Sequence, residues 1–195
     1  MIAQAFFFNA IFFTYSLVLI RFYKVAPEAT ALYLIPFAFG NVLGPLLLAP
    51  LFDKVGRKPM IVVTYAAAGA FLAVTGWLFQ AGLLNAQTQT LCWIIIFFVA
   101  SCAASSAYLT TSEIFPLEIR GLALALFYAA GTFCGGMVAP TVFGFLIQTG
   151  SRGALFIGYL VAALLMIGAA IAELILGVKA ERRSLEEVAS PLSVQ

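Results

Sequence analysis

The chain has 195 residues, of which 64% are hydrophobic and only 9% are charged. A soluble domain is about half apolar and about a quarter charged, so this composition excludes a water-soluble fold. Histidine is absent and the formal net charge is only +2. We therefore expect no nucleic-acid partner, and the chain has no imidazole for a zinc site or a general base.

Six apolar runs are long enough to cross a membrane, since an α-helix needs about 20 residues to span a hydrocarbon core of about 30 Å. These runs are residues 2–23, 30–52, 59–84, 88–112, 121–148 and 153–177. The first run has no basic segment before it and contains amides, so we interpret it as a span and not as a removable signal peptide. The sequence predicts an all-α membrane protein, with a six-helix bundle over residues 1–178 and a tail over 179–195.

The three cysteines fall inside these runs at no metal-like spacing: Cys92, Cys102 and Cys134. Acidic residues are also scarce there. We therefore expect buried thiols, no metal, no cofactor and no enzyme activity.

Basic residues concentrate on one side of the six-span arrangement. That side holds Lys54, Arg57, Lys58, Arg120, Lys179, Arg182 and Arg183, and the other side holds Arg21, Lys24 and Arg152. By the positive-inside rule, both termini and the tail are predicted to be cytoplasmic, in an inner or plasma membrane.

The uncharged loop at residues 80–90 divides the spans into two groups of three with opposite topology, an inverted repeat found in many secondary transporters. Small residues recur four apart, at Gly40 with Gly44 and at Gly131 with Gly135. This spacing lets helix backbones approach closely in lipid. We expect these pairs at packing surfaces, which are either static or allow one helix to rock against its neighbour.

A charged turn joins the second and third spans, where residues 53–59 read Asp-Lys-Val-Gly-Arg-Lys-Pro. Gly56 is free to take a positive φ, and Pro59 suits the first turn of the next helix. On these grounds alone, a loop that only sets topology is as good an interpretation as a functional one.

This turn resembles the Asp-x-x-Gly-Arg-Lys signature of the major facilitator superfamily, although Ala49 stands where that family usually has glycine. Residues 108–121, Tyr-Leu-Thr-Thr-Ser-Glu-Ile-Phe-Pro-Leu-Glu-Ile-Arg-Gly, resemble the Ser-Glu-x-x-Pro-x-x-x-Arg-Gly segment of its sugar porter branch. The resemblance implies helices seven to twelve of a twelve-helix transporter, which form the C-terminal half of a major facilitator fold.

The resemblance also implies a cytoplasmic gate of charges from both loops, formed by Asp53, Gly56, Arg57, Lys58, Glu113 and Arg120. In the family, such a network closes in one conformation and breaks in the other, so its strength biases alternating access. The low dielectric at a membrane edge strengthens charge pairs of this kind. Simple anchoring at the membrane surface is the alternative.

Amides inside the spans are candidate substrate ligands, since a buried amide in lipid is costly unless it has a partner or faces water. Gln4, Asn9 and Asn41 stand at positions that resemble the seventh- and eighth-helix amides with which sugar porters bind sugar hydroxyls. Ala3 and Phe7 depart from the seventh-helix pattern. Interhelical hydrogen bonds are the alternative role for these amides.

A polar stripe on the fourth span adds to the candidate site, and it consists of Ser101, Ser105, Tyr108 and Ser112. By resemblance to the tenth helix of sugar porters, Tyr108 is placed to stack on a sugar ring, with Ser105 beside it. Hydroxyls bonded to their own helix carbonyls are the alternative for the serines.

The predicted function is transport of a small polar solute, a sugar or related metabolite, by alternating access across the bilayer. A coupled proton is left open. Gly131 and Thr132 replace the asparagine and tryptophan of the eleventh sugar-porter helix, and residues 178–182 lack the Pro-Glu-Thr-Lys-Gly motif, which weakens the case for a hexose. The alternatives are a truncated fragment that does not transport, an assembly partner that requires a separate N-terminal half, and a homodimer of half-transporters.

Overall fold

The computed structural model describes residues 1–177, except for the side chains of Asp53, Leu117 and residues 106–114. The predicted tail at 179–195 lies outside the described residues. The α-helices are α1 Ile2–Phe12, α2 Tyr15–Tyr23, α3 Thr30–Lys54, α4 Arg57–Gln80, α5 Ala86–Ile114, α6 Leu117–Thr132, α7 Ala139–Gln148 and α8 Arg152–Leu176. A 3-10 turn, Pro27–Ala29, precedes α3, and a π-helical segment, Phe133–Val138, joins α6 to α7.

Five stretches of this described part are long and apolar enough to cross a membrane, and the bent pair α1–α2 makes a sixth. No strand occurs within residues 1–177. The predicted all-α membrane fold is therefore confirmed.

The helices pack in symmetric pairs, with α1–α2, α3 and α4 in the first group of spans and α5, α6–α7 and α8 in the second. The second span of the first group, α3, packs on the first span of the second group, α5. Reciprocally, α1 packs on α6, the π-helical segment and α7, and the two third spans, α4 and α8, pack on each other. This reciprocity is the arrangement expected of an inverted repeat.

The first span is bent by 42° between α1 and α2, although it contains no proline. Thr14 Oγ1 donates a hydrogen bond to the Ala10 carbonyl, and the Thr14 amide bonds to Ile11, three residues back. A hydroxyl that bonds to its own helix backbone favours such a bend, and sequence periodicity does not show it.

Both predicted glycine pairs lie at close helix contacts. A Cβ on Gly44 would lie 2.0 Å from the Phe98 carbonyl oxygen of α5, and a Cβ on Gly135 would lie 2.3 Å from the Ala5 carbonyl carbon of α1. Only glycine allows these backbones to approach so closely, as the small-residue pattern predicts.

The turns after α2, α4 and α7 meet at one end of the bundle, where Phe22, Phe79 and Arg152 are in contact. We name this the outer end, and the end with the turns at 55–56 and 115–116 the inner end, after the predicted orientation. Inward from the outer end, consecutive ring contacts connect four fully buried side chains, Phe79, Tyr159, Trp93 and Tyr15. We call these four rings the outer block.

Candidate functional site

A pocket of about 350 Å³ opens between α1, α4, α5, α6 and the π-helical segment. Its lining consists of Met1, Gln4, Ala5, Phe8, Asn9, Tyr65, Ala104, Phe127, Tyr128, Gly131, Thr132 and Gly136. Four of these residues are aromatic, several are small, and none has a charged side chain. The pocket is therefore suited to an uncharged solute with apolar surface.

Gln4 lines this pocket with a side-chain amide of fixed orientation. Its side chain is 7% exposed, and its Nε2 donates a hydrogen bond of 3.2 Å to the Ala100 carbonyl of α5. The buried Oε1 has no hydrogen-bond partner among the described residues. Exchanging the two amide atoms would set oxygen against the Ala100 carbonyl oxygen, so the bond to Ala100 fixes the amide orientation.

Asn9 lines the same pocket one and a half turns further along α1. It is half-buried, and its Nδ2 donates a 2.7 Å hydrogen bond to the Ala5 carbonyl of its own helix. Thr132 also bonds within its helix, through Oγ1 to the Tyr128 carbonyl at 2.8 Å. The bond made by Nδ2 leaves the side-chain Oδ1 of Asn9, a pocket-lining residue, as a further acceptor.

The π-helical segment and its glycines give the pocket its space. Gly131 has no side chain between the backbones of α6 and α1, and Gly136 lines the wall one turn later. π-Helical turns inside α-helices are frequent at functional sites because they shift the face that a helix presents.

A family model provides the decisive comparison. The model described as Major Facilitator Superfamily matches residues 1–193. The chain belongs to the Major Facilitator Superfamily. Members of this family are transporters and not enzymes, which agrees with the predictions of membrane transport and of no enzyme activity, and the half-domain fold class is confirmed.

Three relatives illustrate where in the superfamily the similarity lies. The chain is 33% identical over 111 residues to the "Major facilitator superfamily multidrug transporter mdrA" of Aspergillus fumigatus, a match that covers 55% of the chain and 17% of that protein. It is 29% identical over 133 residues to "Efflux pump FUB11" of Gibberella fujikuroi, covering 67% of the chain and 22% of the pump. It is 31% identical over 140 residues to "Uncharacterized transporter C36.01c" of Schizosaccharomyces pombe, covering 69% of the chain and 22% of that protein.

The matched part of the chain thus spans about a fifth of the length of these relatives. None of the three names refers to a sugar, so the sugar porter branch and the C-terminal position stay predictions. No solved structure matches the chain significantly.

Two of the residues predicted as ligands, Gln4 and Asn9, line the pocket. Asn41 is half-buried on α3, next to the Gly40 contact with α5, and does not line the pocket. Ser105 is exposed, and its Oγ donates to the Ser101 carbonyl of its own helix at 3.2 Å. The side chain of Tyr108 lies outside the described residues.

The aromatic lining could not be identified from the sequence. Phe8, Tyr65, Phe127 and Tyr128 lie in continuous apolar runs, where inward-facing and lipid-facing rings look alike. Tyr65 and Tyr128 carried the one available signal, a hydroxyl within an apolar span, because tyrosine hydroxyls in such places need a partner.

At the inner end, the superfamily's loop motif has the backbone that its glycine predicts. Gly56 precedes α4 with φ 111° and ψ 147°, and Arg57 opens the helix. Lys58 is half-buried in the first turn of α4. Arg120 is half-buried, and its Nη2 donates a 3.4 Å hydrogen bond to the Phe115 carbonyl.

The side chains of Asp53 and Glu113 lie outside the described residues. The charge network between the two loops therefore stays a prediction.

Proposed function

We propose that the chain forms a six-helix half of a solute transporter, and that its pocket binds a small uncharged organic solute through a hydrogen bond to Gln4. The observation that carries this proposal is the buried Oε1 of Gln4, a pocket-lining residue, which has no hydrogen-bond partner among the described residues. A solute N–H or O–H group would satisfy this acceptor.

The pocket is expected to select solutes that have a hydrogen-bond donor, because a solute without one leaves the Gln4 acceptor unpaired. A buried acceptor without a donor loses its hydration and forms no bond in return, which costs about 1 to 3 kcal/mol of free energy. A site built in this way discriminates against an analogue that lacks the donor more strongly than a purely apolar pocket discriminates by size.

The aromatic lining supports an amphipathic solute with few polar groups. Four rings and several small residues accompany two amides and three hydroxyl side chains, so much of the lining is apolar surface that a polyhydroxylated solute would not use. The names of two relatives, a multidrug transporter and an efflux pump, support this class of solute.

A sugar or related metabolite is the second candidate solute, and one observation favours it. Gln4 and Asn9, the two amides predicted from the sugar porter pattern of the seventh helix, both line the pocket. Two amides on one wall can hydrogen-bond to two neighbouring hydroxyls of a sugar ring.

The rest of the mechanism follows the predicted topology. The inner end faces the cytoplasm of a cell with this protein in its inner or plasma membrane, and both termini lie there. A second six-helix half, which is either an N-terminal half or a second copy, encloses the pocket, and the gate of Asp53, Gly56, Arg57, Lys58, Glu113 and Arg120 opens and closes its inner side. A coupled proton remains a candidate co-substrate.

The test is transport in proteoliposomes by the complete transporter that contains this chain, with pairs of neutral aromatic amides that differ only as N–H and N–methyl. We expect tighter binding of the N–H member by about tenfold, and Gln4→Leu should abolish that difference. Gln87→Leu is the matched control, since Gln87 is an exposed glutamine at the outer end of α5.

Equal affinity of the two members for the wild-type protein would contradict the proposed role of Gln4. Uptake of hexoses without uptake of the aromatic amides would favour the second candidate.

A further inference from the structure

An open groove of about 510 Å³ runs along the exposed side of α6 and the π-helical segment, and we call it the side groove. Its lining consists of Tyr128, Ala129, Thr132, Phe133, Gly136 and Met137, all of them exposed. Three of these residues, Tyr128, Thr132 and Gly136, also line the pocket that contains Gln4. The pocket and the side groove therefore adjoin each other along one ridge of the helix.

This ridge is lowest at Gly136. Apart from its own helix backbone and its chain neighbours, an ideal Cβ there would meet one atom of the described residues within 4 Å, Thr132 Cγ2 at 3.4 Å. Gly135 beside it differs, because a Cβ at that position would lie 2.3 Å from the Ala5 carbonyl carbon. Gly135 thus serves close packing, whereas Gly136 leaves open space where the pocket meets the side groove.

Thr132 turns its methyl group toward this opening. Its Oγ1 donates a 2.8 Å hydrogen bond to the Tyr128 carbonyl, and its Cγ2 is the atom that approaches the Cβ position of Gly136. The hydroxyl is thereby satisfied within its own helix. The opening consequently presents carbon atoms, which favours an apolar group over a polar one that would lose its hydration there.

Beyond the ridge, two large apolar side chains form the wall of the side groove. Phe133 and Met137 are each 63% exposed, so both have most of their surface available to a ligand. They stand four residues apart, on one face of the helix. Because methionine is unbranched and adapts its shape, this wall can accept apolar groups of different outline.

The volume of the pocket limits what it can hold alone. At about 350 Å³, it lies near the lower end of the range of about 300 to 1,000 Å³ that is typical of small-molecule sites. A solute with a large apolar part exceeds this space. The side groove, which continues from the pocket across Gly136, provides the additional apolar surface.

We propose that the side groove is a subsite for an apolar extension of the solute, an alkyl or aryl group, and that Gly136 is the opening through which this group leaves the pocket. The hydrogen-bond donor of the solute binds Gln4 while the apolar group lies against Phe133 and Met137. This inference rests on the proposed function, because it concerns a second part of the same solute. It narrows the class to elongated amphipathic molecules with a neutral polar end.

Benzamide and its para-butyl derivative test the subsite by equilibrium binding to the purified complete transporter that contains this chain. The measured quantity is the ratio of their two affinities, because partition into detergent affects this ratio equally in every variant. We expect the butyl compound to bind at least about tenfold more tightly to the wild-type protein, since each buried methylene contributes up to about fourfold.

The opening is tested by Gly136→Val, which should bring the two affinities within about twofold of each other, because the new side chain would occupy the space that the butyl group needs. Gly144→Val is the matched control. A Cβ at Gly144 meets no atom within 4 Å, and Gly144 lines neither the pocket nor the side groove. This control should leave the wild-type ratio unchanged within about twofold.

The wall is tested by Met137→Ala, which removes apolar surface from the side groove without changing the lining of the pocket. It should lower the ratio about threefold. Leu126→Ala is the matched control, since Leu126 is also 63% exposed on α6 and lines neither space. It should leave the ratio unchanged.

An unchanged ratio in both Gly136→Val and Met137→Ala would overturn the subsite and leave the proposed function standing, provided that the wild-type protein binds benzamide. Equal weakening of both compounds by Met137→Ala would also overturn it, since the side groove would then support the fold or the second half and not the solute. A wild-type protein that binds neither compound would contradict the proposed function, and the subsite with it.

Discussion

At the outer end, rings from α2, α4, α5 and α8 are fully buried against one another, whereas around the pocket the helices meet at glycine, alanine and a π-helical turn. Interlocked side chains make the outer block dense, and dense cores deform little. The side of the pocket where Ala5 meets Gly131 and Gly135 lacks such interlocking, so it has the freedom that a binding site needs. Rigidity and adaptability are therefore assigned to different depths of the same bundle.

The largest predicted effect tests the rigidity of the outer block. Trp93→Ala should lower the free energy of unfolding by about 3 to 5 kcal/mol, because it removes a fully buried ring that packs between Tyr15 and Tyr159. Trp77→Ala is the matched control, since Trp77 is 56% exposed near the same end and should change stability little. Unfolding in mixed micelles measures both.

Trp93→Phe sharpens this prediction. The Trp93 Nε1 has no hydrogen-bond partner among the described residues, so a smaller ring without the N–H group should retain more than half of the stability lost in Trp93→Ala. Equal losses for the two tryptophans on mutation to alanine would show that the outer block is not the stable part of the bundle.

The sequence predicts the spans well because lipid imposes a simple requirement, about 20 apolar residues for each crossing. It also predicts the glycine contacts, since close packing in lipid leaves few other uses for glycines four apart. It does not predict the bend at Thr14, which arises from a side chain that bonds back to its own helix. Nor does it predict the contact between Arg152 and Phe79, because the two residues are 73 positions apart and only the fold brings them together.

Candidate ligands were predictable only where the side chain was unusual for a membrane span. Gln4 and Asn9 stand out as amides, and both reach the pocket. Asn41 stands out equally, yet α3 presents it elsewhere, because a sequence without a structure does not show which helix face is turned inward. For the same reason, the aromatic lining was indistinguishable from rings that face lipid.

The next prediction concerns the inner end, where we expect charged side chains to affect the transport rate and not the stability of the fold. Arg120→Ala should lower the transport rate about tenfold with solute affinity changed less than about twofold, because Arg120 belongs to the predicted gate and does not line the pocket. Transport rate and equilibrium binding in the same preparation decide this. A correctly folded variant that transports at the wild-type rate would reduce Arg120 to a topological anchor.

The smallest predicted effect distinguishes the two asparagines. Asn9→Ala should weaken solute affinity about fivefold, the loss of about one hydrogen bond, while Asn41→Ala should leave it within about twofold, since Asn9 lines the pocket and Asn41 does not. Equilibrium binding to purified protein measures both affinities.

Thermal stability distinguishes a disturbed α1 helix from the loss of a contact with the solute. The Asn9 side chain bonds to the Ala5 carbonyl, and that carbonyl already accepts a bond from the backbone within the helix, so removing the side chain leaves no buried group unsatisfied. We therefore expect unchanged thermal stability in Asn9→Ala alongside its lower affinity. If Asn41→Ala weakened binding as much as Asn9→Ala at unchanged stability, the solute would contact α3, and the adaptable region would extend beyond the pocket that α1 and α6 enclose.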